Sequence, residues 1–253
     1  MSDAAPAVLT ERRDRVLVIT LNRPEAMNAI NGDLSGGLWT AVNELNNDPG
    51  LTAGVVTGAG KGFCSGMDLK AFSRGEDIGP MLEYVSNGAE KPLIAAIEGF
   101  ALAGGLELAL ACDLLVAAEG AKLGIPEVGV GLFAAGAGLF RLPSRVGYAK
   151  AMEMAVTGDP ITAEEAAERG LVSRLTPKGG ALDEAIALAE RIARNAPLAV
   201  AASKKLVRAT QGATEDELWA AQKPFMKAVW SSDDAKEGPR AFAEKRAPEW
   251  TGT

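Results

Sequence analysis

The sequence predicts an α/β core followed by a helical region, and three observations carry that expectation. Short runs of β-branched and apolar residues recur through roughly the first 160 positions, and at least twice such a run is followed by a loop and then helical spacing. These runs are apolar at consecutive positions, as strands covered on both faces are. Beyond about residue 160 the chain turns to Ala, Glu, Lys and Arg with a 3.6-residue period, and no strand is expected there.

The elements come in order. RVLVITLNRP (15–24) begins β-branched and alternating and stops at a proline, so a strand gives way to a loop. AMNAINGDLSGGLWTAVNELNNDPG (26–50) contains a helix that ends near residue 47, where an Asn/Asp/Pro/Gly cluster closes it. LTAGVVTGAGKGFCSGMDLKAF (51–72) is a short buried strand and then a glycine-rich loop. KPLIAAIEG (91–99) is a strand, GGLELALAC (104–112) a helix with glycines at its start, and DLLVAAEG (113–120) a strand again. ITAEEAAERGLV (161–172) and the remainder of the chain are helical, with breaks at Pro197 and Gly212. The expected organisation is a core over 1–194 and a helical region over 195–253.

Composition narrows the function. A chain of 253 residues, 47% hydrophobic and 23% charged, is long enough for one large core and has the balance of an ordinary globular protein. A net charge of −7 and a pI near 4.9 argue against a nucleic-acid partner. An anionic ligand would need a local Lys/Arg cluster working against that field. No apolar h-region of signal-peptide type follows MSDAAPAVLTERRDR, and 92–118 is broken by Glu98, Glu107 and Asp113, so neither a signal peptide nor a membrane partner is expected. Cys64 and Cys112, both in apolar surroundings, fit core thiols of a reducing, cytoplasmic compartment. There is no histidine, which removes Ser-His-Asp and Cys-His nucleophile pairs and His-based metal sites together. Acid–base work near neutral pH then falls to carboxylates, Lys, Tyr or Cys.

Several short motifs fail. GAGKGF (58–63) is neither dinucleotide fingerprint nor phosphate loop, GVGLFA (129–134) follows no opening strand, and GFCSG (62–66) lacks the serine and the base of a nucleophile elbow. GFALAGGLELALACD (99–113) holds more information. Between Gly99 and Cys112 its one polar side chain is Glu107. Two readings stand open for it: a structural carboxylate held by an arginine or by amides, or a functional group whose dry surroundings are the point.

KGFCSGMDL (61–69), ALAGGLELALACDLLVA (101–117) and AKLGIPEVGVG (121–131), in this order and spacing, resemble the enoyl-CoA hydratase/isomerase (crotonase) superfamily. VLVITLNRPEAMNAI (16–30), TGDPITAEEAAERGLV (157–172) and AFAEKRAPEW (241–250) extend the similarity over nearly the whole chain. The resemblance implies a crotonase-like spiral of ββα units with a C-terminal helical region for oligomerisation, in a homotrimer or dimer of trimers. It implies an acyl-CoA thioester substrate and hydration of a trans-2-enoyl-CoA to a 3-hydroxyacyl-CoA, as in fatty-acid β-oxidation. No metal or redox cofactor is implied, coenzyme A being part of the substrate.

The backbone amides of Met67 and Gly104 are the implied oxyanion donors. A helix beginning at Gly104–Gly105 offers unpaired N–H groups and lets a ligand approach closely, and the glycine loop before Met67 can present a second donor. Such donors stabilise an enolate oxygen better than a ground-state carbonyl. Glu107, nearly one turn beyond Gly104, is implied to activate the water, and Glu127, after Pro126, to protonate Cα. Substrate contacts are implied for Arg23, Ser65, Gly66, Asp68, Leu69, Lys70, Gly105 and Lys245. Against these stand plainer readings: Lys70 and Lys245 as surface lysines, Arg23 as a strand-end cap, Glu127 as a solvated turn residue. Asp113 is expected to have a structural partner.

Two departures from the family pattern stand out. Ala103 replaces a glycine, and AAGAGLFRL (134–142) lacks the usual proline and polar residues on the acyl side. Double-bond isomerisation, decarboxylation and thioester hydrolysis are the neighbouring reactions, and a non-catalytic acyl-CoA binder is the alternative from another class.

Overall fold

Most of the longer strands carry almost no polar side to turn toward water, so they stack into a sheet covered on both faces. The computed structural model describes residues 5–253. Its strands are β1 (Val8–Arg13), β2 (Val16–Leu21), β3 (Ala53–Gly58), β4 (Leu93–Ile97), β5 (Phe100–Leu102), β6 (Leu114–Ala118), β7 (Lys122–Gly124), β8 (Ile161–Thr162) and β9 (Arg174–Thr176). The main sheet runs β1-β2-β3-β4-β6-β9, with β1 antiparallel to β2 and every later pair parallel. Val18, Val55, Ile94 and Leu114 stand abreast across it. A smaller sheet, β5-β7-β8, is extended by isolated parallel bridges between Cys64 and Ala101 and between Ile30 and Met67.

The helices are α1 (Gly32–Asn47), α2 (Leu69–Ser73), α3 (Gly79–Asn87), α4 (Gly104–Ala111), α5 (Gly138–Val146), α6 (Tyr148–Thr157), α7 (Ala163–Glu168), α8 (Ala181–Ala193), α9 (Pro197–Ala209), α10 (Glu215–Trp230) and α11 (Asp233–Glu244). In α1 the Asn31 side chain caps the start by accepting from the Leu34 amide at 3.1 Å, and Leu34, Leu38, Ala41, Val42 and Leu45 form its buried stripe. α4 is different: all eight of its residues are buried, so it is apolar on every side except at Glu107. Each turn of the core repeats one pattern, a main-sheet strand, a short piece of the second layer, then a helix: β4–β5–α4 is followed by β6–β7–α5. That is the ββα repeat the resemblance implies.

The structure corrects the expectation of a strand-free second half. β8 and β9 are strands of two and three residues, too short for any periodicity to betray. β9 adds the last edge to the main sheet by pairing with β6. β1 also lies outside the strands expected from sequence, because VLTERR has five exposed residues and so lacks the apolar signature of the others. Asp113 has the expected partner, its Oδ2 accepting from the Leu93 amide at 2.8 Å.

The chain divides into two units, Met1–Ala189 and Glu190–Thr253, the division falling inside α8. The second unit holds α9, α10 and α11, and its tail folds back on α11. Asp234 accepts from the Thr251 amide at 2.7 Å, and Glu237 accepts from Arg246 at 2.5 Å and from the Glu249 amide at 3.0 Å. The Arg246 hydrogen bond chiefly holds the Glu237 carboxyl down to about 2. Trp219, Trp230 and Phe242 are exposed on this unit.

Candidate active site

Four elements of the first unit bring Ser65, Met67, Leu69, Gly104, Glu107 and Glu127 to one cavity of about 570 Å³. The loop after β3 supplies Met67. Gly66 precedes it with φ +103°, a conformation that side chains disfavour, and a Cβ there would stand 2.6 Å from the Ala103 Cβ and 3.3 Å from the Gly104 nitrogen. A Cβ on Gly104 would stand 3.8 Å from the Met67 nitrogen. The two amides therefore border one small space that only glycine leaves open. The Ile30–Met67 bridge uses the amides of Ile30 (to Gly66 O, 2.8 Å) and Asp68 (to Ile30 O, 2.9 Å), leaving that of Met67 without an acceptor among the described residues. Gly104 opens α4, where an amide has no acceptor within its own helix. Two such donors facing one point can hold an oxyanion.

Glu107 is buried, 4% exposed, and the question raised by its sequence context has a structural answer. Its Oε1 accepts from the Gly138 amide at 2.9 Å, at the first residue of α5, so the carboxylate sits at the positive end of a neighbouring helix. Burial pushes its pKa up, while the amides of Gly138 and Gly136 and the charge of Arg141 oppose that rise. Glu127 lies in a 3-10 turn, Pro126–Val130, and its Oε2 is buried with no hydrogen-bond partner among the described residues. Burial raises its pKa, its own backbone amide opposes the rise, and the charge of Glu107 adds to it. Burial thus lifts both carboxyls above the ordinary range, opposed at Glu107 by neighbouring amides and a guanidinium and reinforced at Glu127 by a like charge. Such a pair can take a proton at one carboxyl and give one at the other.

The other residues implied by the resemblance fall elsewhere. Arg23 and Asp68 are turned toward each other, Nη2 to Oδ2 at 3.1 Å, and Arg23 also donates to the Ala29 carbonyl. Asp68 caps α2 through the amides of Lys70 at 3.1 Å and Ala71 at 3.2 Å. These two side chains brace the loop that carries Met67 and do not line the cavity. Gly105 serves packing, since a Cβ there would collide with the Cys64 carbonyl oxygen. Lys70 is exposed on α2 and is not a cavity wall. Lys245 is the residue after α11, in the second unit, with φ +54°.

Sequence reasoning missed the residues that hold Glu107. A Cβ on Gly136 would stand 2.5 Å from Glu107 Oε2, and one on Gly138 would stand 3.1 Å from Oε1. The signal was the run AAGAG, in which glycines permit a close backbone approach. It also missed the apolar wall formed by Phe72, Ile78, Met81, Leu82 and Phe133.

A family model described as Enoyl-CoA hydratase/isomerase matches residues 11–253. The chain is 41% identical to the enoyl-CoA hydratase EchA19 of Mycobacterium tuberculosis, over 97% of each chain. It is 37% identical to the 2,3-dehydroadipyl-CoA hydratase of Escherichia coli, over 97% of this chain and 98% of that one. Its fold is similar to the crystal structure of an enoyl-CoA hydratase from Mycobacterium tuberculosis, with a TM-score of 0.95 and 53% identity, covering 98% of this chain and all of the other.

Proposed function

The chain belongs to the enoyl-CoA hydratase/isomerase family, and from that membership we propose that it adds water to a trans-2-enoyl-CoA to give a 3-hydroxyacyl-CoA at the cavity between α4 and the Glu127 turn. The observation that carries this reading is the presence of one buried and one half-buried carboxylate, with two backbone amides that have no acceptor among the described residues, on one apolar cavity. The thioester carbonyl oxygen takes the amides of Met67 and Gly104. Glu107, ionised, removes a proton from water as its oxygen bonds to C3. The electron pair of the C2=C3 bond moves through C2 to the carbonyl oxygen, whose negative charge the two amides hold. Glu127, protonated, then delivers its proton to C2 as the enolate collapses. Transfer of one proton from Glu107 back to Glu127 restores the pair.

This scheme calls on no metal or redox group, and coenzyme A enters as the substrate's handle. Ser65 and Leu69, at the cavity wall, are the supported substrate contacts among the side chains. The exposed Trp219, Trp230 and Phe242 support packing of the C-terminal helices onto neighbouring subunits, in a homotrimer or dimer of trimers. No helix among the described residues is long and apolar enough to cross a membrane, and a cytoplasmic role in fatty-acid breakdown is the matching reading.

The test is the ultraviolet absorbance of the conjugated enoyl thioester. Wild-type protein should remove it, with 3-hydroxyacyl-CoA as the product, and Glu107→Gln and Glu127→Gln should each slow the loss by about 10²–10⁴-fold. An undiminished rate in both variants would overturn the assignment of the acid–base pair.

A further inference from the structure

Resting on the hydratase reading, we infer that the acyl group taken by this site is uncharged, apolar and longer than four carbons, and that Phe72 and Phe133 select for it. Among the side chains lining the cavity, Ser65, Glu107 and Glu127 are polar and the rest are apolar; no lysine or arginine is present. Leu69, Phe72 and Leu82 come from α2 and α3, and Val130, Leu132 and Phe133 from the turn after Glu127 and the residues beyond it. Phe72 is 51% exposed and Phe133 65% exposed. Large apolar side chains gathered around one cavity in water mark a surface that an apolar ligand covers. A four-carbon acyl group has a single methyl beyond its double bond and leaves most of that wall wet. Each further methylene laid against the wall is worth up to about fourfold in affinity.

An acyl tail ending in a carboxylate meets the opposite environment. It finds no cation among the side chains that line the cavity to replace its water, and the group ionised in the proposed scheme, Glu107, shares its sign. The E. coli relative named 2,3-dehydroadipyl-CoA hydratase shows that the family has a member named for an acyl group of that kind. The walls of this cavity assign the chain to the other kind.

The decisive comparison uses two six-carbon substrates that differ in the tail alone, trans-2-hexenoyl-CoA and 2,3-dehydroadipyl-CoA. We expect kcat/KM to favour hexenoyl by about 100-fold or more, and to rise by about tenfold or more from crotonyl- to trans-2-octenoyl-CoA. Calorimetric dissociation constants for hexanoyl- and adipyl-CoA should differ by about tenfold in the same direction. Phe133→Arg, and separately Phe72→Lys, should narrow the hexenoyl preference by about tenfold by offering the carboxylate a partner. Ratios within about threefold of unity, in turnover or in binding, would overturn the proposal. Variants that fold and leave the preference untouched would remove Phe72 and Phe133 from it. If no thioester is turned over and hexanoyl-CoA still binds about tenfold more tightly than adipyl-CoA, the hydratase reading falls and the apolar acyl site stands.

Discussion

Gly136→Ala tests whether the placement of Glu107 matters as the proposed mechanism requires. The added Cβ would stand 2.5 Å from Glu107 Oε2 and 2.9 Å from Cδ. Comfortable contact begins near 3.5 Å, so the carboxylate must retreat by about 1 Å. Misplacing a reacting group by that distance costs about 10²-fold in rate, and the expected result is a kcat lowered by about that factor with KM little changed. Gly136 has no left-handed φ, so alanine fits its backbone and the fold should hold; fewer unfolded conformers offset part of the clash by about 0.4–1 kcal/mol. A second readout comes from charge. The amides of Gly138 and Gly136 favour the anion, and a carboxylate pushed away from them ionises less readily. The acidic limb of the kcat/KM profile should therefore move to higher pH. Gly36→Ala in α1, where an added Cβ meets nothing within 4 Å, is the control for a glycine replacement as such. Assays are enoyl-thioester absorbance over a pH series and thermal melting. A Gly136→Ala protein that melts like wild type and keeps kcat within about threefold would refute the claim that this backbone positions a working carboxylate.

Three further outcomes are expected. Burial, with the charge of Glu107, lifts the Glu127 pKa above the ordinary 4.5, so its contribution to stability is full below that value and fades as pH rises through the folded pKa. Glu127→Gln should consequently melt higher than wild type at about pH 8, with the difference closing toward about pH 4; a lower melting point at the higher pH would contradict the burial argument. Ala103 holds φ +51° and ψ −132°, which costs a side-chain-bearing residue about 1–3 kcal/mol. Net of glycine's own entropic cost, Ala103→Gly should raise the melting temperature by about 2–4 °C, and a fall would show that the methyl packs well enough to outweigh the strain. The Cys64 thiol, buried and pushed up to about 12, should resist alkylation in the native protein near pH 8 and react only after unfolding, as mass spectrometry of labelled peptides would reveal.

The parts of this fold that showed in the sequence are those where local pattern and burial agree. β3 and β4 are apolar runs because neighbouring strands and helices cover them, and α4 begins at a glycine pair that composition alone makes conspicuous. β9 stayed hidden because three residues carry no period, and its existence depends on the free edge of β6, a tertiary fact. At the site, Glu107 announced itself as a lone charge in an apolar stretch, whereas its partners Gly136 and Gly138 lie about 30 residues away with no side chain to signal a role. Arg23 and Asp68 show the converse. Their types and positions suggested ligand contacts, and their pairing across 45 positions of sequence is visible only in three dimensions.

The proposed oxyanion donors are main-chain groups, and this shapes how the site can change. Replacing the Met67 side chain alters the cavity wall and leaves the N–H where it was, so an alanine scan passes over half of the proposed machinery without registering it. The dependence lies in the neighbours that fix the backbone: Gly66 with its φ of +103°, and the Arg23–Asp68 brace. Sequence drift at residue 67 is thereby uncoupled from the electrostatics of the reaction. The segment from Leu69 to Leu82, which supplies part of the cavity wall, is likewise an excursion that leaves and returns without carrying either proposed donor, so its side chains can be recast with those donors unchanged.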